Sequence, residues 1–266
     1  MYDKYNRKIN YLRISVTDRC NLRCVYCMPE GGVTLLKHEE ILNFEEIVQV
    51  TKTAVRKGVN KIRITGGEPL VRKGIIELIS MIGKIDGIDD YSMTTNGILL
   101  EQFAEELKKA GLHRVNISLD SMDPERYRQI TRGGDITKVF AGIEAAKKVG
   151  LEPIKINCVI KKSEEEPDAV EVAKFCKENG LFVRFITEMD LEKGEFSIVH
   201  GGSGGDCVHC NRIRLTANGM IKPCLFSDIQ YSVRELGADK AIDMAIANKP
   251  KNGHTNVTGK FYNIGG

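Results

Sequence analysis

The chain has 266 residues, of which 42% are apolar and 28% charged, and a formal net charge of +3. That length can bury a full core, as one barrel-sized domain or two small ones, and one is the simpler reading. The composition excludes wholesale disorder, and so mild a charge gives no bulk electrostatic argument for nucleic acid or an anionic membrane. There is no stretch of about 18 apolar residues, and the opening Met-Tyr-Asp-Lys-Tyr-Asn-Arg-Lys lacks an apolar signal core. A cytoplasmic protein engaging neither membrane nor nucleic acid is therefore expected. Eight cysteines without a secretory signal read as thiols or metal ligands rather than as a disulfide framework. Six fall into two trios; Cys158 and Cys176 lie in apolar runs and read as core residues.

Strand-like and helix-like segments alternate along the chain. A first strand over Tyr11–Val16 leads into a cysteine loop, then a helix over Asn43–Lys57 with Phe44, Ile47, Val48, Thr51 and Val55 at helical spacing. Strands follow at Lys61–Thr65, Tyr91–Thr95 and Arg114–Leu119, with helices at Ile75–Ile85 and Leu99–Ala110. Pro124–Val149 holds two helical pieces broken at Gly133-Gly134; then come a strand at Pro153–Ile160, a helix at Pro167–Asn179 and a strand at Phe182–Thr187. The expected fold is α/β: an incomplete TIM barrel of about six βα units.

In such barrels the chemistry gathers at the carboxyl ends of the strands. Cys20, Cys24 and Cys27 follow strand one in a C-x3-C-x2-C run, and three thiolates so spaced can hold three irons of a 4Fe-4S cube with the fourth iron open. A structural zinc site is the rival reading. Gly66-Gly67-Glu68-Pro69 follows strand two, which is either a tight turn or a carboxylate held beside the open iron to anchor an ammonium group. Thr94 and Ser118 end strands three and four.

Cys207, Cys210 and Cys224 form the second trio, open to a cluster or, with His209 or His200, to zinc. Asn218-Gly219 between alternating residues signals a hairpin returning Cys224 towards Cys210, although a two-residue turn pairing Ala217 with Met220 leaves Cys224 opposite Ile213. A bulge or longer turn would correct that. Arg212 and Arg214 share one strand face, which is either solvated surface or a fork for phosphate and a platform for a base.

C-x3-C-x2-C after strand one with GGEP after strand two resembles the radical S-adenosylmethionine (SAM) superfamily. The second trio with C-x2-C-N-R-x-R-L-T, and LRISVTDRCNLRCVYCMPEGG, KIRITGGEPLVRK, TTNGILL, RVNISLDS and a terminal IGG, is similar to its GTP 3′,8-cyclase (MoaA) family, which opens molybdenum cofactor biosynthesis. The resemblance implies two 4Fe-4S clusters, the first binding SAM and the second the guanine of GTP. It implies SAM contacts from Tyr26, Gly66, Gly67, Glu68, Thr94, Ser118 and Met189. Arg13, Lys61, Arg63, Lys155, Arg184, Arg212 and Arg214 would hold the triphosphate, ribose or intermediates; ion pairing along the barrel rim is their structural alternative. Arg13, Arg212, Arg214 and the tail residues Gly265 and Gly266 would serve catalysis. A 5′-deoxyadenosyl radical would take the ribose 3′ hydrogen, and the carbon radical would add to carbon 8 of guanine. A flavodoxin or ferredoxin as electron donor, a cyclic pyranopterin monophosphate synthase downstream and a homodimer complete the implied partners.

One region departs from that pattern. Residues 1–190 read as the barrel and 207–266 as the second-cluster hairpin with its tail, but the segment between them, 191–206, is shorter than the family's. Its Gly201-Gly-Ser-Gly-Gly205 run resembles an inserted flexible linker, with a natural short loop as the alternative. Two other functions fit parts of the chain: a radical SAM enzyme with an auxiliary cluster acting on a peptide, and a shortened, non-catalytic metal- or GTP-binding module.

Overall fold

A computed structural model describes residues 1–265. The strands are β1 (Tyr11–Ser15), β2 (Lys61–Thr65), β3 (Asp90–Thr95), β4 (Arg114–Ser118), β5 (Lys155–Ile160), β6 (Phe182–Thr187), β7 (Arg212–Leu215), β8 (Met220–Lys222) and β9 (Tyr231–Ser232). The α-helices are α1 (Phe44–Arg56), α2 (Ile75–Gly83), α3 (Leu100–Lys109), α4 (Pro124–Thr131), α5 (Ile136–Val149), α6 (Pro167–Glu178), α7 (Val233–Leu236), α8 (Ala238–Ala247) and α9 (Phe261–Ile264). The strands form one sheet in the order β6-β5-β4-β3-β2-β1-β7-β8-β9. β1 to β7 run parallel and β8 and β9 antiparallel. β6 and β9 end the sheet unpaired with each other, so the barrel is partial.

Period-two alternation sorts the side chains into two faces. Leu12, Ile14, Ile62, Ile64, Met93, Val115, Ile117 and Ile156 are fully buried in the core that also takes residues from the helices. The intervening positions carry Arg13, Arg63, Ser92, Asn116, Asn157, Arg184 and Arg214. Register aligns Arg13 with both Arg63 and Arg214, and Asn157 with Arg184. The concave face is thus polar by construction.

Local chemistry sets the helix ends. Asn43 caps α1 in a capping box with Glu46, and Asp123 caps α4 ahead of Pro124 at its first position. Cys158 and Cys176 are buried in the core, and all eight cysteines are free. Among the described residues no helix is long and apolar enough to cross a membrane.

The β7–β8 hairpin corrects the two-residue turn. Thr216 pairs with Met220 around a loop of Ala217, Asn218 and Gly219, with Gly219 at φ 84°. The Thr216 hydroxyl accepts the Met220 N–H at 2.9 Å, which stabilises this longer loop. Arg214 then faces Lys222, and continuing that register brings Cys224 level with Arg212. Within 207–266, expected as a hairpin with its tail, β9, α7 and α8 add further elements. Their apolar side chains Val233, Ala241, Ile242 and Ala245 join the same core.

Candidate active site

The first cysteine loop hangs from the end of β1 and is fixed from several sides. The N–H groups of Cys27 and Met28 both donate to the Cys24 carbonyl at 3.0 Å, closing a turn, and the three cysteines line one cavity. Tyr26 donates its hydroxyl to the Asp120 carboxylate at 2.8 Å, and the Val159 N–H donates to the other Asp120 oxygen at 2.8 Å. The loop is thereby tied to the ends of β4 and β5. Cys20 Sγ accepts from the Leu22 N–H at 3.3 Å and lies 3.9 Å from the Asn96 amide nitrogen.

Burial and mutual repulsion push these thiols up. Cys27 reaches about 12 through burial and then Cys20. Cys24 rises through burial, Asp120 and the other two cysteines, and Cys20 through burial and Glu68. Three half-buried thiols on one cavity that resist ionisation alone have the donor chemistry of a cationic metal core, which would hold them as thiolates. N–H groups directed at sulfur belong to such a site.

Gly66 and Gly67 bring backbone against the β1 loop: a β-carbon on Gly66 would lie 2.7 Å from the Thr17 carbonyl oxygen, and one on Gly67 would collide with the Arg19 carbonyl. Glu68 is 1% exposed, and its carboxylate accepts from the Leu70 N–H (3.1 Å), the Thr95 hydroxyl (2.8 Å) and the Asn96 N–H (2.7 Å). It therefore braces the β2 and β3 loops as well as lining the pocket. Burial still outweighs those bonds and pushes it up to about 7. A cavity here is lined by the three cysteines, Tyr26, Gly66, Gly67, Glu68, Thr94, Ser118 and Met189. The buried Thr94 hydroxyl has no hydrogen-bond partner among the described residues, an orphan that a bound ligand would satisfy.

A second cavity adjoins it, sharing Asn157, Ile186 and Met189 with the first. Arg13, Arg63, Arg184, Arg212 and Arg214 line it together with Cys207, Cys210 and Cys224. Burial followed by repulsion from neighbouring arginines brings Arg184 and Arg214 down to about 10, and the same two causes lower Arg13. Such a cluster is suited to a polyanion. Lys155 opens β5 and is lowered to about 8 by burial, Arg184 and Arg114. Lys61 opens β2. Neither lysine is among the residues lining the cavity, but each lies two residues before a lining residue on its strand, Arg63 and Asn157.

The glycine-rich run lies over this cavity. Phe185 and His200 form an antiparallel bridge, so the short segment continues from the β6 edge. Arg184 donates to the Gly201 carbonyl at 3.3 Å, and Arg212 to the Ser203 carbonyl and hydroxyl at 2.7 and 2.9 Å. Gly265 has φ 66°, its carbonyl accepts from Arg214, and a β-carbon there would approach Thr65 Cγ2 to 2.5 Å. Gly266 lies outside the described residues.

Several contributors escaped the sequence reading. Asp120 and Asn96 sit in strand-end motifs and could have been suspected from position. Lys249 follows α8 and is 1% exposed; its ammonium donates to the carbonyls of Arg212 (2.8 Å) and Pro223. Burial works to raise the Cys210 thiol, but Lys249 and Arg212 outweigh it and lower its pKa. Arg7, paired with Asp3 at 2.6 Å, donates to the carbonyls of Cys207 and Pro250 at 2.7 Å and of Lys251 at 2.9 Å. Nothing in the local sequence marks either residue, because their partners are carbonyls far along the chain.

A family model described as the radical SAM superfamily matches residues 14–176. A GTP 3′,8-cyclase of Thermodesulfovibrio yellowstonii is 42% identical over 89% of this chain and 88% of its own. One from Clostridium botulinum is 43% identical over 96% of this chain and 94% of its own, across 301 aligned residues, more than this chain's 266. Among solved structures, anSMEcpe with bound AdoMet superposes with a TM-score of 0.66 at 20% identity, over 91% of this chain and 81% of that one. Streptococcus suis SuiB bound to S-adenosylmethionine gives 0.65 at 17%, over 92% of this chain and 66% of that one. At these identities the structural likeness concerns the fold. The chain belongs to the radical SAM superfamily and, within it, to the GTP 3′,8-cyclase family.

Proposed function

We infer that this chain is a radical SAM GTP 3′,8-cyclase, converting GTP to (8S)-3′,8-cyclo-7,8-dihydroguanosine 5′-triphosphate in the first step of molybdenum cofactor biosynthesis. The observation that carries the reading is the junction of the two cavities at Asn157, Ile186 and Met189, with a cysteine trio beside each and five arginines in one. Bound at Cys20, Cys24 and Cys27, a 4Fe-4S cluster with SAM supplies a radical able to remove hydrogen from an unactivated carbon. The remaining work is positioning.

The backbone of Gly66 and Gly67 with Thr94, Ser118, Tyr26 and Met189 would hold SAM. Arg13, Arg63 and Arg184, with Lys61 and Lys155 at the strand starts, would draw the triphosphate into the polar interior and leave the ribose at the junction. Ile186 and Met189 exclude water there. Cys207, Cys210 and Cys224 offer a second three-thiolate site for a 4Fe-4S cluster facing the guanine, and Arg212, Arg214 and the Gly265-Gly266 tail would complete the catalytic end. Residues 191–206 then act as a shortened joint between barrel and hairpin region, in keeping with relatives whose alignments exceed this chain's length. An acidic carrier such as a flavodoxin or ferredoxin would deliver electrons, a cyclic pyranopterin monophosphate synthase would take the product, and a cytoplasmic homodimer would be the working form.

The test is an anaerobic assay of reconstituted protein with SAM, dithionite and GTP, following 5′-deoxyadenosine and a cyclised guanine nucleotide. Both products are expected, with the cyclised one lost in Arg212→Ala. Deoxyadenosine without cyclised nucleotide in the parent chain would retain the superfamily chemistry and reject GTP turnover.

A further inference from the structure

Tyr11 opens β1 and points its ring into the arginine-lined cavity, where no role has been assigned to it. Its ring stacks between two cations: the Arg63 guanidinium carbon lies 5.4 Å from the ring centroid and that of Arg212 lies 5.8 Å away. Ring packing alone accounts for an aromatic here. It does not account for the hydroxyl, which is buried and has no hydrogen-bond partner among the described residues.

A buried, unpaired hydroxyl is costly and phenylalanine would fill the same space without that cost. The same cavity holds a second orphan, the buried Nε of Arg212. Two unpaired donors beside four further guanidiniums describe a place completed by an acceptor-rich anion. Burial opposes ionisation of the phenol, yet Arg63, Arg13, Arg212 and Arg214 together outweigh it and lower its pKa, which strengthens the hydroxyl as a donor.

We propose that the Tyr11 hydroxyl is a substrate contact that donates a hydrogen bond to a phosphate oxygen of the nucleotide, while its ring spaces Arg63 from Arg212 so that both can fork onto the same polyphosphate. The proposal rests on the nucleotide reading above and deepens it: the cavity selects the phosphate tail as well as the base.

Tyr11→Phe tests it, because the ring between the arginines stays and only the hydroxyl goes. Affinities for GTP and for inorganic tripolyphosphate are measured by anaerobic calorimetry on parent and variant, with SAM cleavage in the absence of GTP as the check that the variant folds. A charge-assisted hydrogen bond predicts that both affinities weaken by the same factor, on the order of tenfold or more, with SAM cleavage unchanged. Weakened GTP binding with tripolyphosphate unaffected, or no change in either, would overturn the assignment. Failure of the parent chain to bind GTP at all would instead remove the nucleotide reading, and this inference with it.

Discussion

Arg214 in β7 donates to the carbonyl oxygen of Gly265, joining the strand that follows Cys207 and Cys210 to the Gly265 tail. That bond, a positive φ and the approach to Thr65 allow only glycine at 265 without strain. Gly265→Val is expected to cut the cyclised nucleotide at least tenfold while 5′-deoxyadenosine forms as before. Parallel quantification of the two products by liquid chromatography decides it; equal loss of both would place the tail outside the cyclisation step.

Lys249 places its ammonium beside Cys210 and between two carbonyls of the hairpin. Lys249→Met is expected to empty the second site in preference to the first, since supporting shells of this kind are worth roughly 10- to 100-fold in metal affinity. Iron and sulfide per reconstituted chain should fall by about half. Full iron content with an unaltered electron paramagnetic resonance spectrum would remove Lys249 from any role at that site.

Arg7 spans from the amino-terminal segment to the loop carrying Cys207, and its charge is matched by Asp3 in a buried pair. Arg7→Met leaves Asp3 uncompensated and frees three carbonyls, and should cost about 3 kcal/mol or more of stability. Urea unfolding of the apoprotein gives the number. Asp3→Asn in the same background should recover part of it, and absence of recovery would argue against charge burial as the cause.

Two buried carboxyls predict a pH dependence. Glu68 is raised from 4.5 to about 7 and Asp120 from 3.8 to about 6, in both cases first by burial. Folding favours their protonated forms, so that contribution is full below the unfolded values near pH 4 and is lost as pH rises through about 6 and 7. For Glu68 alone the loss is on the order of 3 kcal/mol. Apoprotein stability should therefore decline between about pH 4 and pH 7, and Glu68→Gln with Asp120→Asn should flatten the decline. Urea midpoints at four pH values measure the slope; an unchanged slope in the double variant would refute the assignment.

The strand-helix alternation was legible because its cues are local: β2 and β6 fall on the expected bounds, and Gly133-Gly134 does separate α4 from α5. The hairpin register was not, since the choice between a two- and a three-residue loop turned on the Thr216 hydroxyl reaching the Met220 N–H. Glu68 was legible as a pocket residue, but not as a brace, because its three donors come from two different loops. Asp206 and His209 pair with each other at 2.7 Å, which the zinc alternative for His209 could not anticipate.

By itself the sequence determined the partial barrel and the two cysteine trios, because residue type, spacing and strand periodicity are written along one dimension. Only the tertiary structure decided that the two cavities meet at Asn157, Ile186 and Met189, that Tyr11 stands between Arg63 and Arg212, and that Arg7 and Lys249 support the second trio. Those relations join segments up to some 200 residues apart. They depend on sheet register and on carbonyls exposed by the fold, neither of which leaves a mark in the local pattern of side chains.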